Sequence, residues 1–457
     1  MRVLVVGGGV SGLTAAWQLA QRPGTDVEVL EAADRVGGVL QTARVGGVLL
    51  DLGAESMLAR RPEAVDLVHR AGLGADLVHP ATVRASVRAG GRSHPLPPGT
   101  LMGVPGSAAA VEGLLAPADV ERVRAEEELP APALTDDVSV GRYVADRVGP
   151  AVVDHLVEPL LGGVYAGHAH DLSLQATVPA LWAHARRGGS LLAAVRAAAA
   201  TRPAGGGPVF AGLRGGVARL PQALAAGLAV RTGTPVGGLR RTPDGWAVET
   251  PAGTEHADAV VLAVPAPVAA RLLAAAVPAA AAELRAVRTA SMVIAAFAVP
   301  AAELAGLEGS GILVPPVEGA AEGLHVKALT LSANKWDWVA EQSPDVRVLR
   351  VSLGRAGETQ ALTADDADVV RWATADAGRL LGRELHPLDS VVVRWSDGLP
   401  QYAVGHLARV ERLRAAVASA GRLAVCGSVL DGVGIPACVA AATRAAAEVA
   451  AFARMEP

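Results

Sequence analysis

The chain has 457 residues, enough for two or three domains with real cores and no disulfide staple. Hydrophobic residues make up 51% and charged residues 19%, with mean hydropathy +0.34, which excludes a disordered chain. A net charge of −4 and an aromatic content of 3% supply neither the field nor the stacking platforms of a nucleic-acid binder.

Residues 2–6 predict a short strand, apolar on both faces. Gly7-Gly8-Gly9-Val10-Ser11-Gly12 follows, then helical periodicity over 13–21 and a second strand over 26–30 that ends at Glu31. In such a βαβ unit each glycine has a task. Gly7 allows the tight turn, Gly9 lets the backbone approach a pyrophosphate, and Gly12 permits close helix–strand packing. The helix N-terminus offers unpaired N–H groups to the phosphates, and Glu31 stands where an acid accepts from a ribose hydroxyl. The pattern predicts a dinucleotide site. The continuation Glu31, Ala32, Arg35, Gly37, Gly38 adds a basic residue and a second glycine turn, which favours FAD over NAD. A strand over 48–52 leads into Gly53-Ala54-Glu55-Ser56.

Residues 97–200 are mostly helical by pattern, with proline-rich breaks at 97–105 and 130–132. The acidic run 126–128 reads as a solvated helix end. Residues 201–208 read as a connector. Gly215-Gly216 precedes a helix over about 218–228, and strands are expected at 230–232, 236–240 and 258–264. A last strand at 423–426 leads through Gly432-Val433-Gly434-Ile435-Pro436 into a helix that runs to about 453, with Pro436 suited to its first turn. Nucleotide-fold character therefore returns twice after interruptions.

Of 41 basic residues only Lys327 and Lys335 are lysine, which reads as a GC-rich coding bias. The two cysteines, Cys426 and Cys438, make no disulfide framework. With no signal peptide evident, a reducing cytoplasm is expected. No stretch reads as a membrane span: 257–287 is cut by Asp258, Pro265, Pro267, Arg271 and Pro278. Peripheral membrane contact stays open, and oligomeric state is not readable. His168-x-His170 lacks a third ligand and is not read as a metal site.

Nearly the whole chain resembles the HemY-type FAD-dependent porphyrinogen oxidases of the monoamine oxidase and phytoene desaturase superfamily. The matching blocks are GGGVSGLTAAWQLA at 7–20, EAADRVGG at 31–38, GAES at 53–56 and LPPGTLMGVP at 96–105. Further blocks are EPLLGGVYAGHAHDLSLQATVP at 158–179, GLRGGVARLPQALA at 212–225, LPQYAVGHLARV at 399–410 and GSVLDGVGIPACVAAA at 427–442. The short 96–105 loop resembles the Gram-positive branch. That resemblance implies an enzyme oxidising coproporphyrinogen III to coproporphyrin III in haem synthesis, with O2 as acceptor and H2O2 as product. Protoporphyrinogen IX is the rival substrate. A flavin amine oxidase and a porphyrin carrier without turnover are the remaining alternatives.

The fold implied is α/β: a Rossmann-like FAD domain of discontinuous segments (1–75, 208–290, 390–457), a mixed α+β substrate domain (76–96, 291–389) and a helical insertion (97–207) that a membrane or partner could cover. The FAD contacts implied are Gly7, Gly8, Gly9, Val10, Ser11, Gly12, Glu31, Ala32, Arg35, Gly37, Gly38, Val39, Gly53, Ala54, Glu55, Ser56, Val236, Trp395, Val433, Gly434 and Ile435. For Trp395 the alternative is a packed core side chain. Arg60 and Arg61 are candidates for substrate propionates, since a guanidinium fork matches a carboxylate; the alternative is a solvated surface pair. No catalytic residue is named. Ferrochelatase is a partner by analogy only. The chain departs from the family in having Ala437 after Gly-Ile-Pro and alanines at 440–442.

Overall fold

The computed structural model describes residues 1–200 and 207–452. Most of the connector expected at 201–208 lies outside the described residues.

The nucleotide fold is a five-stranded parallel sheet. Its order is Ala229–Arg231, Asp26–Leu30, Arg2–Val6, Ala259–Leu262, Leu423–Val425. Val3, Leu4 and Val5 are fully buried, as are Val260 and Val261. Helices cover both faces of such a sheet, so its strands read as unbroken apolar runs. Helix Ile435–Phe452 packs its Ala442, Ala445 and Val449 into the same core. It is long and apolar enough to cross a membrane, but its burial here is that of a core helix. A three-stranded antiparallel meander, Gly238–Thr242, Gly245–Thr250 and Gly253–Ala257, precedes strand Ala259–Leu262.

The second sheet has seven strands. In order they are Asp389–Pro400, Thr289–Pro300, Val346–Leu353, Val326–Leu331, Gly311–Leu313, Ala85–Ala89 and Arg92–Pro95. Pairing is antiparallel except between Gly311–Leu313 and Ala85–Ala89. Helix Asp366–Leu381 packs Val369, Ala373 and Ala377 against one face. Hairpin Thr42–Val45 and Val48–Asp51 covers the other face, with Trp336 and Trp338. The insertion has its own core around Val144, Val153, Leu161 and Leu192.

Several expectations need correction. Residues 389–400, placed mostly in the nucleotide domain by the boundary at 390, form an edge strand of the seven-stranded sheet. Strand Leu77–Val78, placed in the substrate domain, pairs with Phe210–Leu213 instead. The strand expected at 236–240 is Gly238–Thr242, because the chain at 233–234 is first tied to the segment after Glu31. Glu126 is fully buried rather than solvated. It accepts from Arg147 Nε at 2.7 Å and from Leu191 N at 2.7 Å. Glu127 and Glu128, its neighbours in the run, are exposed.

Candidate functional site

The carboxyl ends of the parallel strands open into a cavity of about 700 Å³. Ligands of open α/β folds sit at this place. Gly7 has φ +108° and its N–H donates to Leu30 O at 2.8 Å. A side chain at Gly12 would run into Gly7 O, so only glycine lets the helix start this close to the strand. A Cβ at Gly9 would meet nothing within 4 Å, which leaves the backbone open to the cavity. Gly7, Gly9, Val10 and Ser11 line the cavity; Gly8 and Gly12 stand behind it.

Glu31 is fixed before any ligand arrives. Gly8 N donates to its Oε2 at 2.6 Å and Ala33 N to its Oε1 at 2.8 Å. Gly233 N and Thr234 N donate to Ala33 O and Glu31 O, which brings Thr234, Pro235 and Val236 to the rim beside Ala32. The second glycine turn is bonded to the first through Gly37 N and Gly8 O at 2.8 Å. Arg35 donates to Gly38 O at 2.9 Å and Gln41 Oε1 at 2.8 Å, and its guanidinium lies 5.9 Å from the Trp395 ring centre. Arg35, Gly37, Gly38, Val39, Ala54, Ser56 and Trp395 all line the cavity. Val433, Gly434 and Ile435 close it at the N-terminus of helix Ile435–Phe452. Trp395 comes from the edge of the second sheet, so both sheets build the site.

Some expected residues stand elsewhere. Gly53 is behind the lining; a Cβ there would strike Val39 O. Glu55 turns away from the cavity and binds Lys335, with Arg350 Nη2 at 3.3 Å. Burial alone would raise its pKa; Arg350 and Lys335 reverse this and hold the carboxylate below its ordinary value. Arg60 and Arg61 are exposed and do not line the cavity. The Arg61 guanidinium is taken by Glu63, with Nη2 to Oε1 at 2.6 Å. His168 bonds Glu158 Oε1 at 2.8 Å and Ala356 O at 3.1 Å. Both cysteines are buried. Burial lifts the Cys438 thiol to about 11 and holds Cys426 further above its ordinary value.

Sequence reasoning missed Arg394, Asp397 and Ser428, which also line the cavity. Arg394 is committed to Asp366 at 2.6 Å and to two carbonyls. Asp397 has φ +52°, accepts from Thr289 Oγ1 at 2.5 Å, and takes its bend from Ser291 Oγ. No motif announces Arg394 and Asp397, which strand Asp389–Pro400 places; Ser428 lies within the 427–442 block, in the turn after strand Leu423–Val425. Tyr402 stacks on His406 with ring centres 3.8 Å apart and donates its hydroxyl to Ser428 O. Tyr165 is 5.6 Å from Tyr402, and neither tyrosine lines the cavity. They do not form an aromatic cage at this site.

The residues fit a flavin dinucleotide. An open glycine turn at a helix start, a prefixed acid at the second strand and a second helix N-terminus at the far end match its phosphates, ribose and ring. Residues 10–450 match the family model described as flavin containing amine oxidoreductase. A coproporphyrinogen III oxidase of Mycobacterium bovis is 42% identical over 97% of this chain and 96% of its own length. One from Bacillus subtilis is 31% identical over 96% of this chain and 95% of its own. A crystal structure from Exiguobacterium sp. 255-15, carrying a protoporphyrinogen oxidase assignment, superposes with TM-score 0.87 at 31% identity. It covers 99% of both chains.

Proposed function

We propose that this chain, which belongs to the flavin-containing amine oxidoreductase family, oxidises coproporphyrinogen III to coproporphyrin III with dioxygen as acceptor. The observation that carries the reading is the full-length match, at 42% identity, to a relative named for that activity. Six hydrogens leave the ring, and three dioxygen molecules become three hydrogen peroxides. A flavin, when bound, accepts hydride from the substrate and returns the electrons to dioxygen.

The chain's own residues bind, orient and shield. Gly7 and Gly9 give backbone access for the phosphates, and Glu31 offers its remaining lone pairs to a ribose. The N-terminus of helix Ile435–Phe452 directs a positive dipole end at the site, which favours negative charge developing there. Val39, Trp395 and Val433 present apolar surface that excludes water. The lining carboxylates are Glu31 and Asp397, and each is held by other partners.

Turnover in air tests the reading. Holoenzyme is given coproporphyrinogen III and protoporphyrinogen IX in parallel, and porphyrin fluorescence is followed. The expected result is a higher kcat/KM for coproporphyrinogen III. A preference for protoporphyrinogen IX, which the Exiguobacterium assignment would favour, overturns the substrate but keeps the family.

A further inference from the structure

The seven-stranded sheet carries a cationic feature that the cofactor cavity does not use. Lys327 lies on strand Val326–Leu331, at a register irregularity between Val326 and Ala328. It is 5% exposed, and its Nζ has no hydrogen-bond partner among the described residues. The charges acting on it are those of Arg355 and Glu358. Arg355 is 8% exposed, and its Nη2 donates to Val314 O at 2.8 Å. Val314 N in turn donates to Lys327 O at 2.9 Å, so both cations rise beside one stretch of backbone. Glu358 lies 3.5 Å from Arg355 Nη1, with 46% of its side chain exposed. Two buried cations thus face one half-exposed carboxylate. Burial, and then Arg355, bring the Lys327 ammonium down to about 7. A buried charge is costly unless it is paired, and here one half-exposed carboxylate faces two cations.

Register places this feature relative to the cavity. Ala328 is opposite Ser352, Ser352 is opposite Ile294, and Ile294 is opposite Val393. Lys327 therefore stands three strand spacings, about 14 Å, from the outer strand near Val393, two residues before Trp395. On the next strand Leu313 is opposite Ala328. Leu313 and the cavity residue Val433 both pack on the cluster that holds Tyr165 and Tyr402. The distance is one that a tetrapyrrole ring with a carboxylate arm can bridge.

We propose that Lys327 and Arg355 together bind one carboxylate arm of the substrate. The inference rests on the porphyrinogen reading and adds where one propionate is held. An ammonium beside a guanidinium fork makes charge-assisted bonds to a carboxylate, and the arm supplies the missing countercharge.

The test is Lys327→Met in the holoenzyme. The variant should keep or raise the wild-type Tm, because an unpaired buried charge is removed. Its KM for coproporphyrinogen III should rise about tenfold or more, while kcat changes less than about threefold. Fluorescence titration with coproporphyrin III should show the same loss of affinity, and coproporphyrin III tetramethyl ester should bind both proteins alike. An unchanged KM and product affinity, or a lower Tm with unchanged kinetics, would make Lys327 structural and overturn the proposal. If the methionine variant is insoluble, Lys327→Gln carries the same comparisons. A wild type that oxidises no porphyrinogen defeats the functional reading. A fully active wild type with an unaffected variant defeats this inference alone.

Discussion

Asp51 ends the strand Val48–Asp51 with 5% of its surface exposed, accepting from Val217 N at 3.0 and 3.2 Å. Burial is the main cause that lifts its pKa to about 7, and nearby Glu55 adds to it. The fold therefore favours the protonated acid. That contribution is complete below the unfolded value near 3.8 and is lost as pH rises through about 7. Asp51→Asn, which mimics the protonated form, should match wild type near pH 4. It should exceed wild type by about 4 kcal/mol at pH 8. Thermal unfolding across that range checks this; a gap independent of pH would contradict it. Residues of this kind also mark the limit of the sequence. Glu31 was legible because its distance from the glycine turn fixes its role. Glu55 was not, since a motif names a residue without saying which side of the chain it faces. Its partners Lys335 and Arg350 lie almost 300 positions away. Arg61 is expected from the sequence to meet a propionate, yet Glu63 takes its guanidinium.

At the scale of elements, Glu126 shows how one turn can organise a domain. It lies in the short turn Ala125–Glu128 and accepts from Ser190 Oγ, Leu191 N and Leu192 N at the start of helix Leu191–Ala200. Arg147 from helix Val140–Val148 donates to the same carboxylate. One side chain thus ties three elements together and satisfies donors that the helix leaves open. Glu126→Ala should cost about 3 kcal/mol, because it strands a buried guanidinium. Glu128→Ala should stay within about 0.5 kcal/mol. Denaturant midpoints separate the two, and equal small effects would contradict the account. The sequence read the whole run as solvated because three adjacent acids carry no sign of which one turns inward. Elements with strict patterns fared better. Strand Arg2–Val6 and strand Asp26–Leu30 fall where their apolar runs place them. The strand expected at 236–240 slid by two residues, since the preceding loop is set by distant hydrogen bonds rather than local pattern.

Across the whole molecule, two sheets meet over one cavity. The parallel sheet was legible because buried parallel strands and glycine turns leave strong local signals. The ownership of residues 389–400 was not, because an antiparallel edge strand reads the same beside either sheet. That strand brings Trp395 to the cofactor cavity and, across the register, connects it to Lys327. The cavity's proposed work is to hold a flavin that takes electrons from a porphyrinogen. The most direct measurement is anaerobic mixing of the oxidised holoenzyme with coproporphyrinogen III, following the flavin absorbance. The flavin should bleach as coproporphyrin fluorescence appears, and admitting air should restore its colour with release of hydrogen peroxide. A flavin that coproporphyrinogen III leaves oxidised, while an amine substrate reduces it, would show that porphyrinogen is not its electron donor.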